Sequence, residues 1–252
     1  MQPSANSLTA MHRSNRHLLA SLLSLFFLLS LAPAWAQEGE YIIVSGGPAA
    51  RQWEDLRKPG EQHDRWWANF IAAAMTRVKD LRTREPNLPI TWLVYRDAYL
   101  RRSAADQKPY TSWIQEKQAK YNLKVVWFSS GGEVINYINS GVNRWRTKIT
   151  GFEYFGHSNK FCFMFDYSSA IYGASSAWLH QNDLSRIHSG AFAPNAFCQS
   201  WGCHTGESMS AVWKKVTGVW MVGAYGKTDY SNGHLDGWKV KLGDGAHWCV
   251  KG

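Results

Sequence analysis

The sequence predicts an α/β fold, a three-layer sandwich around a mostly parallel sheet of about six strands. Two observations predict it. Short apolar, β-branched runs such as Tyr41-Ile-Ile-Val-Ser45 and Leu123-Lys-Val-Val-Trp-Phe128 recur between turn residues, which is the pattern of buried strands. Between these runs lie segments of helical period. In the clearest, Asp64 to Arg82, Trp67, Phe70, Ile71, Ala74, Met75, Val78 and Leu81 fall on one face. Strands alternating with helices imply a parallel sheet covered on both sides.

Taken in order, the chain opens on a segment that reads as an export signal. Arg13, Arg16 and His17 precede an apolar run from Leu18 to Leu31, and Ala34-Trp35-Ala36 fits a small-x-small cleavage site. The run is short for a bilayer, so no stable membrane span is expected after cleavage at Ala36. The expected location is periplasmic or extracellular. Residues 1–36 form the signal and 37–252 one domain, with its core at about 41–225 and a glycine-rich tail at 226–252.

The formal charge is +9. Arg13 and Arg16 supply two of it and no acid in residues 1–36 offsets them, which leaves +7. Such a charge favours anionic cell-envelope surfaces. The basic residues are scattered, without the stripe that marks a nucleic-acid binder. Fourteen tryptophans read first as core packing and second as a sugar-stacking surface. Four cysteines, Cys162, Cys198, Cys203 and Cys249, in an oxidising compartment suggest two disulfides. A free Cys203 would leave at most one.

The first strand, Tyr41–Ser45, ends in Gly46-Gly47-Pro48, and the polar stretch to Gln62 reads as loop with one helical turn. Asp64 is placed as the N-cap of the first helix, which Glu85-Pro86 ends. Pro89–Tyr95 is the second strand, Arg96–Pro109 is irregular, Thr111–Tyr121 is a helix and Leu123–Phe128 the third strand. Ser130-Gly-Gly-Glu133 has the spacing of a capping box. Ile149–Phe155 is the fourth strand, residues 160–176 a β-excursion or a loop over the site, Asn182–Ile187 a short helix, and Asn195–Trp201 the fifth strand. A helix from Thr205 to Val216 and a sixth strand, Val219–Gly223, complete the series.

The chemistry gathers where the fourth and fifth strands end, at Gly156-His157-Ser158 and Gly202-Cys203. In a parallel sheet functional groups collect at the carboxyl ends of strands. A thiol is nucleophilic as thiolate, which a neighbouring imidazolium or a helix N-terminus favours. Cys203 would have His157 across the strand ends and the helix opening at Thr205. His157 is the candidate base, and backbone N–H groups near Gly156, Gly202 and Cys203 are candidate oxyanion donors. Cys198 lies mid-strand and reads as a core thiol.

An apolar block ending in Gly156-His157-Ser158, followed by one ending in Cys203-His204-Thr205-Gly206, resembles the caspase-like cysteine peptidases of clan CD, which include caspases, gingipains and bacterial relatives of separase. Ser158 stands where many members have Gly, and Ser200-Trp201-Gly202 replaces the Gln-Ala-Cys string of caspases. The resemblance covers about residues 41–225. It implies a Rossmann-like peptidase domain acting on peptide or protein substrates, with His157 as base, Cys203 as nucleophile and no metal or organic cofactor.

Three rival readings remain. Gly156-His157-Ser158 begins the Gly-x-Ser-x-Gly elbow of serine hydrolases, with Ser158 as nucleophile and His234 or His247 as base, although Lys160 replaces the second glycine. His157, His180, His188, His204, Cys203 and Asp166 could supply metal ligands, but no metal-binding spacing is present. A non-catalytic secreted binder held by disulfides is the third. Glu153, Asp166 and Asp183 are candidates to orient His157.

Overall fold

The computed structural model describes residues 38–167, 176–231 and 237–249. The export signal and His234 lie outside the described residues. Six parallel strands form the central sheet: β1 (Glu38–Ser45), β2 (Ile90–Tyr95), β3 (Lys124–Phe128), β4 (Thr147–Phe155), β8 (Phe192–Ser200) and β9 (Met221–Val222), in the spatial order β3-β2-β1-β4-β8-β9. Counted along the chain this is the doubly wound order 3-2-1-4-5-6. The direction of winding reverses between β1 and β4, so the crevice above their carboxyl ends is the expected ligand site.

The two sheet faces carry separate cores. On one, Ile42, Val44, Leu93, Phe152, Tyr154 and Cys198 meet Val134, Ile135 and Ile138 of α6 (Gly131–Ser140) and Met209 and Trp213 of α7 (Met209–Thr217). On the other, Tyr41, Ile43, Trp92 and Val94 meet Phe70, Ile71, Ala74, Val78 and Leu81 of α2 (Asn69–Arg84). Alternation along β1 sends Ile42 and Val44 one way and Tyr41 and Ile43 the other, the strand period of two. A short helix, α1 (Arg51–Leu56), leads towards α2.

Several boundaries differ from the sequence reading. The helix expected from Asp64 starts instead at Asn69, as α2, because Asp64 is turned inward to a partner described below. Arg96–Asp106 is a helix, α3, despite its charge. Its Arg102 is buried and donates to the carbonyls of Ala49, Asp64 and Arg65. Thr111–Tyr121 divides into α4 (Tyr110–Gln115) and α5 (Lys117–Tyr121). Ser130 caps α6 by accepting the Glu133 N–H at 3.3 Å, while Glu133 reaches back to the Ser129 N–H at 3.1 Å, one residue before the expected donor. The excursion after β4 is a small antiparallel sheet of β5 (His157–Ser158), β6 (Cys162–Asp166) and β7 (Ala177–His180). The tail contributes two short ladders, β10 (Ala224–Tyr225) with β13 (His247–Trp248) and β11 (Thr228–Asp229) with β12 (Lys241–Leu242).

A buried carboxylate sits inside β4. Glu153 is fully buried and is bonded by the Tyr41 hydroxyl, the Arg77 guanidinium and, at 2.6 Å, the Trp201 indole N–H. Burial first, then the charge of Glu153, pushes the Tyr41 phenol far up and keeps it a donor. Stripping one partner from a buried charge costs about 3–5 kcal/mol, so Arg77→Ala is expected to lower unfolding stability by that amount. Glu153→Gln with Arg77→Ala should recover part of the loss, and urea unfolding of the single and double variants measures both.

Candidate active site

The register of β4 against β8 sets the site. Tyr154 pairs with Ser200, and the Trp201 N–H donates to the Tyr154 carbonyl at 2.9 Å. His157 and Cys203 each follow the Tyr154–Ser200 pair by three residues, so the two strands bring them out at the same level. Contacts between the strand ends confirm the approach. The Ser158 hydroxyl donates to the Cys203 carbonyl at 2.6 Å, and a Cβ on Gly202 would stand 2.1 Å from the Ser158 oxygen. Gly202 is therefore required by Ser158, not by a substrate.

His157 is held by an acid the sequence reading used elsewhere. Its Nε2 lies 2.6 Å from Asp64 Oδ2, and Asp64 is buried. The same carboxylate oxygen accepts the Ala49 N–H at 2.7 Å. Burial raises the Asp64 carboxyl, but the His157 charge, the hydrogen bond from its ring and the Ala49 N–H outweigh it, and the acid lies below its ordinary value. An ionised carboxylate only accepts, so Nε2 carries the proton and Nδ1 is left as the basic nitrogen. Phe70 meets the ring edge-on at 5.0 Å and Tyr167 lies at 4.7 Å, which fixes its plane. None of Glu153, Asp166 and Asp183 orients His157. Glu153 serves Arg77, Asp166 pairs with Arg101 at 2.8 Å, and Asp183 accepts the His180 N–H.

Behind Asp64 stands a second carboxylate. Glu54 Oε2 accepts the Asp64 N–H at 2.9 Å, while Glu54 Oε1 is buried without a hydrogen-bond partner among the described residues. Burial, then the charge of Asp64, pushes the Glu54 carboxyl up.

Cys203 is half-buried, and its thiol faces the tail. Sγ accepts the Thr228 N–H at 3.3 Å and lies 3.5 Å from the Thr228 hydroxyl. Among the described residues no hydrogen bond joins Sγ to His157. The site thus brings the two residues to adjacent strand ends with the thiol bonded to Thr228. Tyr230 lies between the strand ends: its hydroxyl donates to the Trp201 carbonyl at 3.1 Å, and its ring packs on Phe70 at 4.9 Å. Burial first, then the charge of Cys203, pushes this phenol up.

These contacts correct several expectations. The Gly202 N–H goes to the Ser200 hydroxyl at 3.3 Å, so Gly202 is not a free oxyanion donor. The Cys203 N–H meets no acceptor among the described residues. The helix expected to open at Thr205 begins at Met209. A single 3-10 turn, Thr205–Glu207, intervenes after His204 takes a left-handed conformation at φ 62°, so the residues after Cys203 do not form the first turn of an α-helix. All four cysteines are free, which removes the disulfides expected of an exported binder. Burial pushes the Cys198 thiol up to about 12, in keeping with a core residue. Ser158 is buried against Gly202 and its hydroxyl is committed to Cys203, while His247 stacks on Tyr225 at 5.1 Å. Among the described residues no three His, Cys, Asp or Glu side chains gather as a metal site.

Comparison with protein-family models, curated proteins and solved structures returns no match for this chain. The reading of the site therefore rests on its own geometry.

Asp64 and Glu54 predict opposite acid responses. Asp64 titrates below its usual value, so its contribution to stability is complete above about pH 4 and is lost as pH falls through its folded value. Glu54 titrates above its usual value, so the fold gains stability as pH falls through that raised value. Urea midpoints measured from pH 7 down to pH 2.5 should show Glu54→Gln losing the gain and Asp64→Asn flattening the acid loss; curves matching the parent protein at both ends would refute the assignment.

Proposed function

We propose that this protein is an exported cysteine hydrolase, a peptidase-type enzyme that cleaves an amide bond through a thioester acyl-enzyme on Cys203. The observation that carries the reading is the buried Asp64–His157 hydrogen bond at the switch point of the sheet, one strand end away from a half-buried thiol. An acid that fixes the imidazole tautomer beside a nucleophile is the arrangement general-base catalysis requires.

In the proposed cycle His157 Nδ1 takes the Cys203 proton. The thiolate attacks the carbonyl carbon and a C–S bond forms. The Cys203 N–H would serve as a backbone donor for the oxyanion. The C–N bond breaks as His157 returns the proton to the leaving amine. Water then attacks the thioester, His157 accepts its proton, and the C–S bond breaks to restore the thiol. Water is the co-reactant, and no cofactor enters the cycle. Asp64 stabilises the imidazolium and acts through His157. Thr228 donates an N–H to sulfur and would steady the thiolate before substrate arrives. The peptide or protein substrate, the attraction to an anionic envelope surface and export through residues 1–36 belong to the same proposal.

Iodoacetamide labelling of the folded, unreduced protein near pH 7 tests the site without knowledge of the substrate. Cys203 should be modified first, and Cys198, buried and with its thiol raised, should be protected. His157→Ala should slow Cys203 modification about tenfold or more, and Asp64→Asn should shift its pH dependence. With an amide or ester substrate in hand, either variant should lower kcat/KM by about 10²- to 10⁴-fold, the size of a lost base. A Cys203 that reacts no faster than an ordinary thiol, or does not respond to His157→Ala, sinks the reading.

A further inference from the structure

The two ends of the sheet differ in charge. All six strands run parallel, so their first residues lie at one end and His157 and Cys203 at the other. The helices α2, α5 and α7 return to the starting end, since Arg84, Tyr121 and Thr217 lie just before Ile90, Lys124 and Met221. These helix ends bring Lys120, Lys214 and Lys215, and the strand starts bring Lys124, Arg146 and Lys148. Lys148 is half-buried and the other five are exposed.

Acids do not balance this charge. Glu40 is buried against Arg144 at 2.5 Å, and Asp80 is held by Arg77 and, at 2.9 Å, by Arg84. Glu85 after α2 and Glu38 at the start of β1 are the other acids of these segments. Among the described residues none of the six basic side chains enters an ion pair. Lys214 donates to the Gly218 carbonyl at 2.6 Å and Lys148 to the Gly190 carbonyl, neutral partners that leave the charge in place. A basic residue in the last turn of a helix answers the helix dipole, which accounts for Lys120, Lys214 and Lys215. It does not account for Lys124, Arg146 and Lys148, which lie at strand starts.

Trp145 stands among them. It is 88% exposed, in the turn that leads into β4, with its backbone N–H tied to Asn143 Oδ1 at 3.0 Å and Lys148 Nζ 5.9 Å from its ring. The chain also enters the fold here. Glu38 pairs with Thr147, two residues past Trp145, so the peptide link to residues 1–37, which include the apolar run Leu18–Leu31, leaves from this end.

We propose that this end of the sheet docks on an anionic lipid bilayer. Trp145 would enter the headgroup layer, the basic residues would meet the acidic headgroups, and the end bearing His157 and Cys203 would face away. The inference rests on the envelope attraction proposed above, to which it gives a surface and a partner. Each Lys or Arg near an acidic leaflet adds to binding, and an indole prefers the boundary between headgroup and hydrocarbon. A soluble polyanion would use the charges alone and leave the indole in water, so the pairing of the two favours a bilayer.

Residues 38–252 form a compact unit that holds the whole sheet and both cores. Co-sedimentation of that unit with lipid vesicles tests the proposal without the apolar run. Vesicles with about 30% phosphatidylglycerol should bind it at about tenfold lower lipid concentration than pure phosphatidylcholine, and raising NaCl from about 0.1 to 0.5 M should release it. Arg146→Glu and Lys215→Glu should each weaken binding about fivefold or more. Lys160→Glu makes the same change in net charge beside His157, at the other end, and should leave binding within about twofold. Trp145→Ala should weaken it severalfold. All four side chains are exposed, so these variants keep the core intact. No binding, equal binding to the two lipids, or a Lys160→Glu loss as large as that of Arg146→Glu overturns the proposal. Indifference to Trp145→Ala also overturns it, since the surface would then read anions in general and not a bilayer. Cys203 alkylation is measured separately, so failure of the docking surface and failure of the thiol site are told apart.

Discussion

The bond from the Trp201 N–H to the Tyr154 carbonyl is the rung from which the strands bearing His157 and Cys203 leave the sheet. Everything proposed for the site depends on that rung falling where it does. A slip of one residue would send every side chain of β8 to the opposite face. Cys198 would leave its pocket beside Phe152 and Trp213, and Trp201 would lose the carboxylate of Glu153. The register is thus held by an apolar layer on one face and by a buried charge on the other. The second is the more discriminating, because misplacing a carboxylate costs more than misplacing a methyl group.

The same economy governs the approach to His157. The segment between β1 and α2 holds only the short α1 and a 3-10 turn, Pro59–Glu61, yet it delivers Asp64 to the interior. It does so because its backbone is tied at several points: Ala49 to the Asp64 carboxylate, the Asp64 N–H to Glu54, and the carbonyls of Ala49, Asp64 and Arg65 to Arg102. A loop so anchored can position a charge as firmly as a helix does.

The sheet, its six strands and the strand ends bearing His157 and Cys203 were legible because they depend on local pattern. Apolar runs of strand length, bounded by glycine and proline, need no knowledge of the rest of the chain. What was not legible depends on distant partners. Asp64 stands 93 residues from His157 and looked like a helix cap, since Asp before a periodic segment usually is one. Arg96–Asp106 looked irregular because its charges mask the buried face made by Ala98, Tyr99 and Arg102. Thr228 and Tyr230 sit in a glycine-rich tail with no periodicity, and only the folded chain brings them to Cys203 and the strand ends. Thr205 illustrates the reverse error: good capping chemistry was outweighed by the left-handed turn at His204, which delays the helix to Met209.

Arg102 carries a consequence for how such a protein is dissected. Its guanidinium is buried, touches neither His157 nor the thiol, and holds three carbonyls of the loop that presents Asp64. Under the proposed mechanism, a screen that scores only turnover would rank this arginine with the proposed nucleophile and base, since losing it frees the Asp64 loop behind His157. An assay of thiol accessibility would separate the two, because the cysteine sits on a different strand and keeps its own support. Residues of this kind make a functional footprint in sequence space larger than the chemistry it protects.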